Sequence, residues 1–403
     1  MLRILWGYGR PGGPDVTTSA TAPDGWVPVE RLLAMPSSRA SKFLVSDAPA
    51  RPAQRLLTSY NAIRMRRTAW QRRALGLYLR SGLPRGPVGD SVTLVARTGQ
   101  ASAENLAAVS FPAHLRALIG DPDALLAVGI RQLDDHHAKP TFQLFTSGGE
   151  PEAYAKLGWS RPTAPLVRHE SEVLQRLEKQ GLPTGVLASR PTHIGDWDGH
   201  PYLVMEPLPA DVRSLTSWDS PRWASRALAG RTWRSPLLES PWHQELLRRL
   251  RSLDRTSSEI AEAAHRAAAV VASRAARSEA RSNVEFGAWH GDWTWWNLAQ
   301  SSAGLHVWDW EHSEEAAPLG FDDLHWSISV DLKLRRIPLH EAVVRARQQL
   351  SEQGQADPDL FLLAYLAEMA VRTCEVSLHG PGSPVELHAG LLEELRALTH
   401  AHA

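Results

Sequence analysis

His290, Gly291 and Asp292 stand together, Asn297 follows five positions after the aspartate, and an apolar run, LHVWDW, then delivers Asp309 and Glu311. Phosphoryl transfer needs a carboxylate that orients the attacking hydroxyl and oxygen ligands that hold magnesium against the phosphates. The H-x-D-x-x-x-x-N spacing supplies both from one loop, and a strand-borne aspartate completes a metal site. Aspartate and asparagine also cap turns, but turn chemistry does not explain the strand that follows.

A second group lies upstream. The only lysines are Lys42, Lys139, Lys156, Lys179 and Lys333, so a lysine within a patterned segment carries weight. Lys156 sits in EAYAKLG, which reads as a strand, and the following HESEVLQRL reads as a helix that offers Glu170 and Glu172 as ion-pair partners. PYLVMEPLP is a further strand running into prolines.

The chain resembles the aminoglycoside phosphotransferase and choline kinase family, whose loop reads H-G-D-x-x-x-x-N before a hydrophobic strand ending in D-x-E. The resemblance covers about residues 121–403. It implies an α+β, bilobal protein-kinase-like fold, with a small β-rich lobe, a large mainly helical lobe and here an extra N-terminal α+β region. It makes Asp292 the catalytic base, with His290 bracing the loop through hydrogen bonds and Asn297 and Asp309 as magnesium ligands. PLGFDDLHW resembles the family's later supporting element, with Asp322 the closer match and Asp323 the alternative. Lys156 would pair the nucleotide's phosphates, and the E-x-x-x-L-x-x-L pattern selects Glu170, with Leu174 and Leu177 behind it. Backbone groups from Glu206 to Leu208 would meet the purine as a hinge. ATP or GTP is the implied co-substrate with Mg2+, and the acceptor a hydroxyl of a small molecule such as an amino sugar, sugar, amino alcohol or natural-product intermediate. One departure stands out. The phosphate-covering turn, glycine-rich in protein kinases, reads RQLDDHHAKP, in which Lys139 and His136 or His137 either contact phosphate or are simply solvated.

The elements that must position these residues fall into three regions: an accessory region over 1–120, a nucleotide-binding small lobe over 121–206 and a large lobe over 207–403. The first has strand candidates at 42–46 and 91–96, a helix over 58–81 and another over 103–119, after an irregular stretch from Gly9 to Pro23. The second reads strand, strand, strand, helix, strand, with Gly148-Gly149 at a hairpin turn. The third is a series of amphipathic helices interrupted by a loop and strand from His290 to Trp310. Substrate recognition is expected to involve the insertion from about 210 to 284.

Nine arginines and no acidic residue lie between Arg51 and Arg85. With Ile63, Trp70, Ala74 and Leu77 as the buried stripe of their helix, a basic face points outward, either solvated or docking a polyanion or a partner protein. Glu311, Glu314 and Glu315 form an acidic cluster that is either a solvated turn or a wall for an amine-bearing substrate.

Acidic and basic residues balance at 44 each, so no global field favours nucleic acid or membrane. The single cysteine, Cys374, excludes an internal disulfide, and no apolar run suits a signal peptide or membrane span. The expected location is cytoplasmic. The main alternative to an enzyme is a kinase-like binding protein, or pseudokinase, that holds a nucleotide, peptide or glycan in a biosynthetic pathway. A protein kinase proper is disfavoured because no D-F-G or A-P-E element is present.

Overall fold

The computed structural model describes residues 5–7, 14–17, 22–38, 41–129, 139–253, 258–277, 283–377 and 385–401. Two compact units are present. The first comprises Met1–Lys179 and Ala188–Ser214, the second Gln180–Leu187 and Leu215–Ala403.

The first unit is built on one antiparallel sheet of nine strands. They are β1 (Asp15–Thr17), β2 (Trp26–Met35), β3 (Phe43–Ser46), β4 (Asp90–Arg97), β5 (Leu125–Gly129), β6 (Thr141–Phe145), β7 (Pro151–Leu157), β9 (Pro191–Trp197) and β10 (His200–Met205), after a short β8 (Val186–Ala188) that belongs elsewhere. Their order is β1-β4-β2-β3-β5-β6-β7-β10-β9. Strands from residues 1–120 therefore share a single sheet with those of 121–206. Side chains alternate between two faces. One buries Leu32, Leu44, Leu94, Val128 and Phe142 against Phe111 and Leu115. The other buries Leu33, Met35, Val45, Ala127 and Phe145. Over this second face lie α1 (Ala50–Thr58) and α2 (Arg66–Arg80), which contribute Ala53, Leu56, Leu57 and Leu79.

The helix expected over 58–81 is thus two helices, α1 ending at Thr58 and α2 starting at Arg66, with a 3-10 turn at Asn61–Ile63 between them. The expected buried stripe is also corrected. Trp70 and Leu77 are 68% and 59% exposed, while Arg72, Gly76 and Leu79 face inward. Close packing at Gly76 chose that face: a Cβ there would lie 3.1 Å from Thr58 Cγ2 and 3.3 Å from Gln54 Cγ. The expected helix over 103–119 is likewise two, α3 (Ala103–Val109) and α4 (Phe111–Ile119). Ser110 leaves helical geometry between them and its hydroxyl accepts from Ala113 N–H at 3.5 Å, capping α4. Between β6 and β7, Gly149 takes φ 84° and donates to Thr146 O at 2.8 Å, which closes the hairpin. The long α5 (Thr163–Gln180) buries Val167, Glu170, Val173 and Leu174. Of the turn at 131–140, only Lys139 and Pro140 lie within the described residues.

The second unit is mainly helical. It contains α6 (Arg222–Leu228), α7 (Pro241–Leu253), α8 (Glu259–Ala276), α9 (Phe321–Val330), α10 (Leu339–Glu352), α11 (Pro358–Ser377) and α12 (Val385–Ala401). Small residues of α8, among them Ala264, Ala267 and Val271, pack in one core with Leu363, Ala367, Ala370 and Val371 of α11. The strands here are short. β11 (Trp233–Pro236), β12 (Asn283–Trp289) and β15 (Glu314–Pro318) form one sheet, and β13 (Leu298–Gln300) and β14 (Leu305–Val307) pair in another with β8. β14 ends at Val307, so Asp309 is not carried by the strand as expected but lies two residues past it, in a left-handed conformation with φ 70°.

Candidate active site

In the second unit, β12 leads directly into His290, Gly291 and Asp292. Gly291 has φ 82°, and a Cβ on it would lie 2.1 Å from the carbonyl oxygen of His312, so only glycine fits this turn. The two amides before the aspartate are clamped by one carboxylate. His290 N–H donates to Asp322 Oδ2 at 2.8 Å and Gly291 N–H to Asp322 Oδ1 at 3.0 Å. Burial pushes the Asp322 carboxyl up, against the pull of His290 and the two amides. Its neighbour Asp323 points elsewhere, accepting from Ser220 Oγ at 2.6 Å and Ser225 Oγ at 3.2 Å.

His290 is fully buried. Asp292 N–H donates to His290 Nδ1 at 3.2 Å, which makes Nδ1 an acceptor and assigns the ring proton to Nε2, 3.0 Å from Trp308 O. Loop and strand end are thereby tied through one imidazole. Arg372 adds a further tie, donating to Gly291 O at 2.7 Å with its guanidinium 4.5 Å over the Trp289 ring. Arginine at this position carries no signal in the sequence, since α11 reads as an ordinary core helix.

Asn297 Nδ2 lies 2.8 Å from Asp292 Oδ2 and 3.0 Å from Asp292 O. Both amide hydrogens are thus spent, and the oxygen Oδ1 is the group left for a cation. Asp309 lies near enough for its charge to push the Asp292 carboxyl up. An amide oxygen and a carboxylate are the hard donors magnesium takes, so these residues fit the ion the motif implies.

The other oxygen of Asp292 meets a residue that the sequence did not single out. His325 Nε2, on α9, is 3.2 Å from Asp292 Oδ1, and its Nδ1 is 2.8 Å from the hydroxyl of Tyr365 on α11. Burial pushes the Tyr365 phenol up, so it keeps its proton, and the imidazole is held between this hydroxyl and the Asp292 carboxylate, to which Nε2–H donates. On Asp292 itself burial works upward, but the hydrogen bond and field of His325, helped by His312, bring it down to about 2. The side chain keeps 27% of its surface open. The motif ends at Trp326, and His325 lies within the quoted PLGFDDLHW segment; its i+3 offset from Asp322 is the one hint available.

Around the loop, Trp293 is buried whereas Trp296 is 41% exposed, and Trp295 stacks edge-on between Trp296 and Trp218 at 4.4 and 6.2 Å. Of the acidic cluster, Glu315 is exposed and Glu314 half-buried, with its carboxyl pushed up by burial and by Glu368. Glu311 Oε1 lies 3.6 Å from His312 Nε2.

In the first unit, Lys156 on β7 places Nζ 2.7 Å from both carboxylate oxygens of Glu170 on α5. Both residues are buried, at 5% and 1% exposure, while Glu172 faces solvent. Of the residues expected to form a hinge, Glu206 pairs through its side chain with Arg190, and its N–H donates to Arg190 O at 2.9 Å. The Leu208 carbonyl accepts from the hydroxyl of Tyr60 at 3.0 Å. That contact comes from the N-terminal region, and nothing in the sequence pattern announced it.

No protein-family model matches the sequence and no curated protein matches it. Among solved structures, the chain is similar to aminoglycoside phosphotransferase APH(4)-Ia, at 10% identity over 73% of this chain and 98% of that one, with TM-score 0.49. It is similar to a choline kinase from Streptococcus pneumoniae at 13% identity, over 70% and 90% of the two chains, with TM-score 0.42. A fructosamine-3-kinase from Haemophilus somnus, so described provisionally, matches at 13% identity over 70% and 95%, with TM-score 0.40. These three are structures of small-molecule kinases, of the group that the H-G-D-x-x-x-x-N loop resembles.

Proposed function

We propose that this protein is a magnesium-dependent phosphotransferase that moves the γ-phosphate of ATP or GTP onto a hydroxyl of a small molecule. The observation that carries the reading is the setting of Asp292, whose two carboxylate oxygens are fixed from opposite directions by His325 and Asn297 on a loop clamped by Asp322. Each oxygen retains a lone pair for a substrate hydroxyl. Held down to about 2, the carboxyl is ionised at neutral pH, so it orients the acceptor as a hydrogen-bond acceptor and takes the proton late, as the new P–O bond forms. Asn297 Oδ1 and Asp309 would hold magnesium, which supplies charge neutralisation at the phosphates when bound. Lys156, kept in place by Glu170, would meet the nucleotide's phosphates.

A second reading, a kinase-like protein that holds a nucleotide, peptide or glycan without transfer, draws on Tyr60. Its hydroxyl occupies the Leu208 carbonyl expected to meet a purine. The test is the thermal midpoint of the full chain with and without magnesium and ATP or GTP, beside Lys156→Ala and Asp309→Ala. Ligand at 100 times its dissociation constant contributes about 2.7 kcal/mol. A magnesium-dependent shift lost in both variants supports transfer and is followed by acceptor screening for ADP or GDP release. No shift with either nucleotide, in folded protein, favours the second reading in its peptide- or glycan-holding form.

A further inference from the structure

Two arginines of the N-terminal region, Arg72 buried and Arg64 half-buried, lie on the Lys156 side of the sheet without a counter-charge. Arg72 retains 9% of its surface, and the Nε atoms of both Arg64 and Arg72 are buried with no hydrogen-bond partner. Among the described residues no carboxylate pairs with either guanidinium. The one hydrogen bond of Arg72 is a long one, from Nη1 to Leu57 O at 3.5 Å, and its other contact is the Phe43 ring, 4.5 Å away.

Sheet register places this pair. Phe43, Gly129, Thr141 and Lys156 are successive partners across β3, β5, β6 and β7. Directly paired residues project to one face, so the ring that carries Arg72 and the ammonium of Lys156 share a face. Three strand spacings separate them, about 14 Å, and glycine occupies one of the two positions between. Tyr154, two residues before Lys156, projects to the same face and lies within electrostatic reach of both arginines. Arg64 is likewise near enough to Arg72 to repel it.

The segment that carries Arg64 is anchored. Tyr60 bonds Leu208 O, Ala62 O accepts Ser214 N–H at 3.1 Å and Ser214 Oγ–H at 3.0 Å, and Asn61 Nδ2 donates to Ala69 O at 3.4 Å. Desolvation pushes both guanidiniums down, Arg72 to about 9. Two neighbouring desolvated cations without an anion destabilise the fold, and a guanidinium fork matches the oxygens of a phosphate.

We propose that Arg64 and Arg72 form a binding site for a phosphate group, placed by the N-terminal helices on the same sheet face as Lys156. The phosphate belongs either to the nucleotide or to a separate phosphorylated ligand. The site stands whether or not Asp292 catalyses transfer.

The experiment measures the thermal midpoint of the full chain against pyrophosphate without magnesium, for wild type, Arg64→Gln, Arg72→Gln and Arg80→Gln. Arg80, exposed on α2, controls for diffuse attraction. Wild type and Arg80→Gln should be stabilised, while apparent affinity falls at least about tenfold in the other two, as expected for losing a charge-assisted contact. Ligand-free Arg64→Gln should melt no lower than wild type, because a desolvated unpaired charge is removed. This half-buried position decides the matter should Arg72→Gln fail to fold. With ADP as the probe, an equal loss in Arg64→Gln assigns the phosphate to the nucleotide. An undiminished ADP response beside a lost pyrophosphate response assigns it to a separate ligand. A wild type indifferent to pyrophosphate, or a response of full size in Arg64→Gln, overturns the proposal.

Discussion

His325 Nε2 lies 3.2 Å from Asp292 Oδ1, and the same imidazole is held from its other side by Tyr365. The ring contacts Asp292, so in the proposed reaction it is a positioning residue. His325→Ala should lower kcat by about 10- to 100-fold, a fraction of the range typical of general acid–base groups, with little change in KM for nucleotide. His325→Asn, which retains a donor, should recover part of the loss, and Tyr365→Phe should cost less than His325→Ala. A merely structural role would lower the melting midpoint of all three without this order in kcat. Steady-state kinetics by ADP release, once an acceptor is found, checks it.

Asp292→Asn removes the carboxylate but keeps the shape of the group bonded to Asn297. Turnover should fall by about 100- to 10,000-fold, while the midpoint shift produced by magnesium and nucleotide persists. A variant retaining a third of wild-type turnover would take the base role away from Asp292.

Glu368 is 1% exposed, and it accepts from Arg249 at 2.6 Å and from Arg372 at 2.9 Å. Burial alone would raise its carboxyl, but the two arginines outweigh it and bring it below the usual range. A depressed acid contributes stability above its unfolded pKa of about 4.3, and that contribution is lost as pH falls through the lower folded value. Urea midpoints should therefore drop below about pH 4 in wild type and depend less on pH in Glu368→Gln. At pH 7 the same substitution leaves two guanidiniums poorly matched and should cost about 3–5 kcal/mol. Because Arg372 also holds Gly291 O, kcat should fall in the surviving folded protein.

Lys156 and Glu170 are mutually buried, so removing one breaks a buried ion pair. Glu170→Gln should destabilise the first unit by about 3–5 kcal/mol. The double variant Lys156→Met with Glu170→Gln should recover part of that stability while remaining unresponsive to nucleotide. Denaturant unfolding and ligand-induced midpoint shifts separate the two effects.

Much of the site was legible in the order of residues because its parts are local. The spacing from Asp292 to Asn297 lets the amide reach back across one turn, Gly291 is forced by a positive φ, and rarity marked Lys156. Six of the nine strands of the first unit, β3 to β7 and β10, were legible as short apolar runs between turns, whereas β1, β2 and β9 were not. What amphipathic reading missed was the direction of α2. It is decided by Gly76 against α1 and by Phe43 beneath Arg72, contacts contributed by other elements, so Trp70 and Leu77 lie outside where a stripe of apolar residues pointed inward. His325, Arg372 and Tyr60 were silent for the same reason: each acts through a partner 33, 81 or 148 residues away in the chain. Local spacing determines a loop whose hydrogen bonds close on themselves. Which face of a helix is buried, and which distant side chain completes a carboxylate, is decided only when elements pack, since steric fit and charge neutralisation are properties of the assembled core.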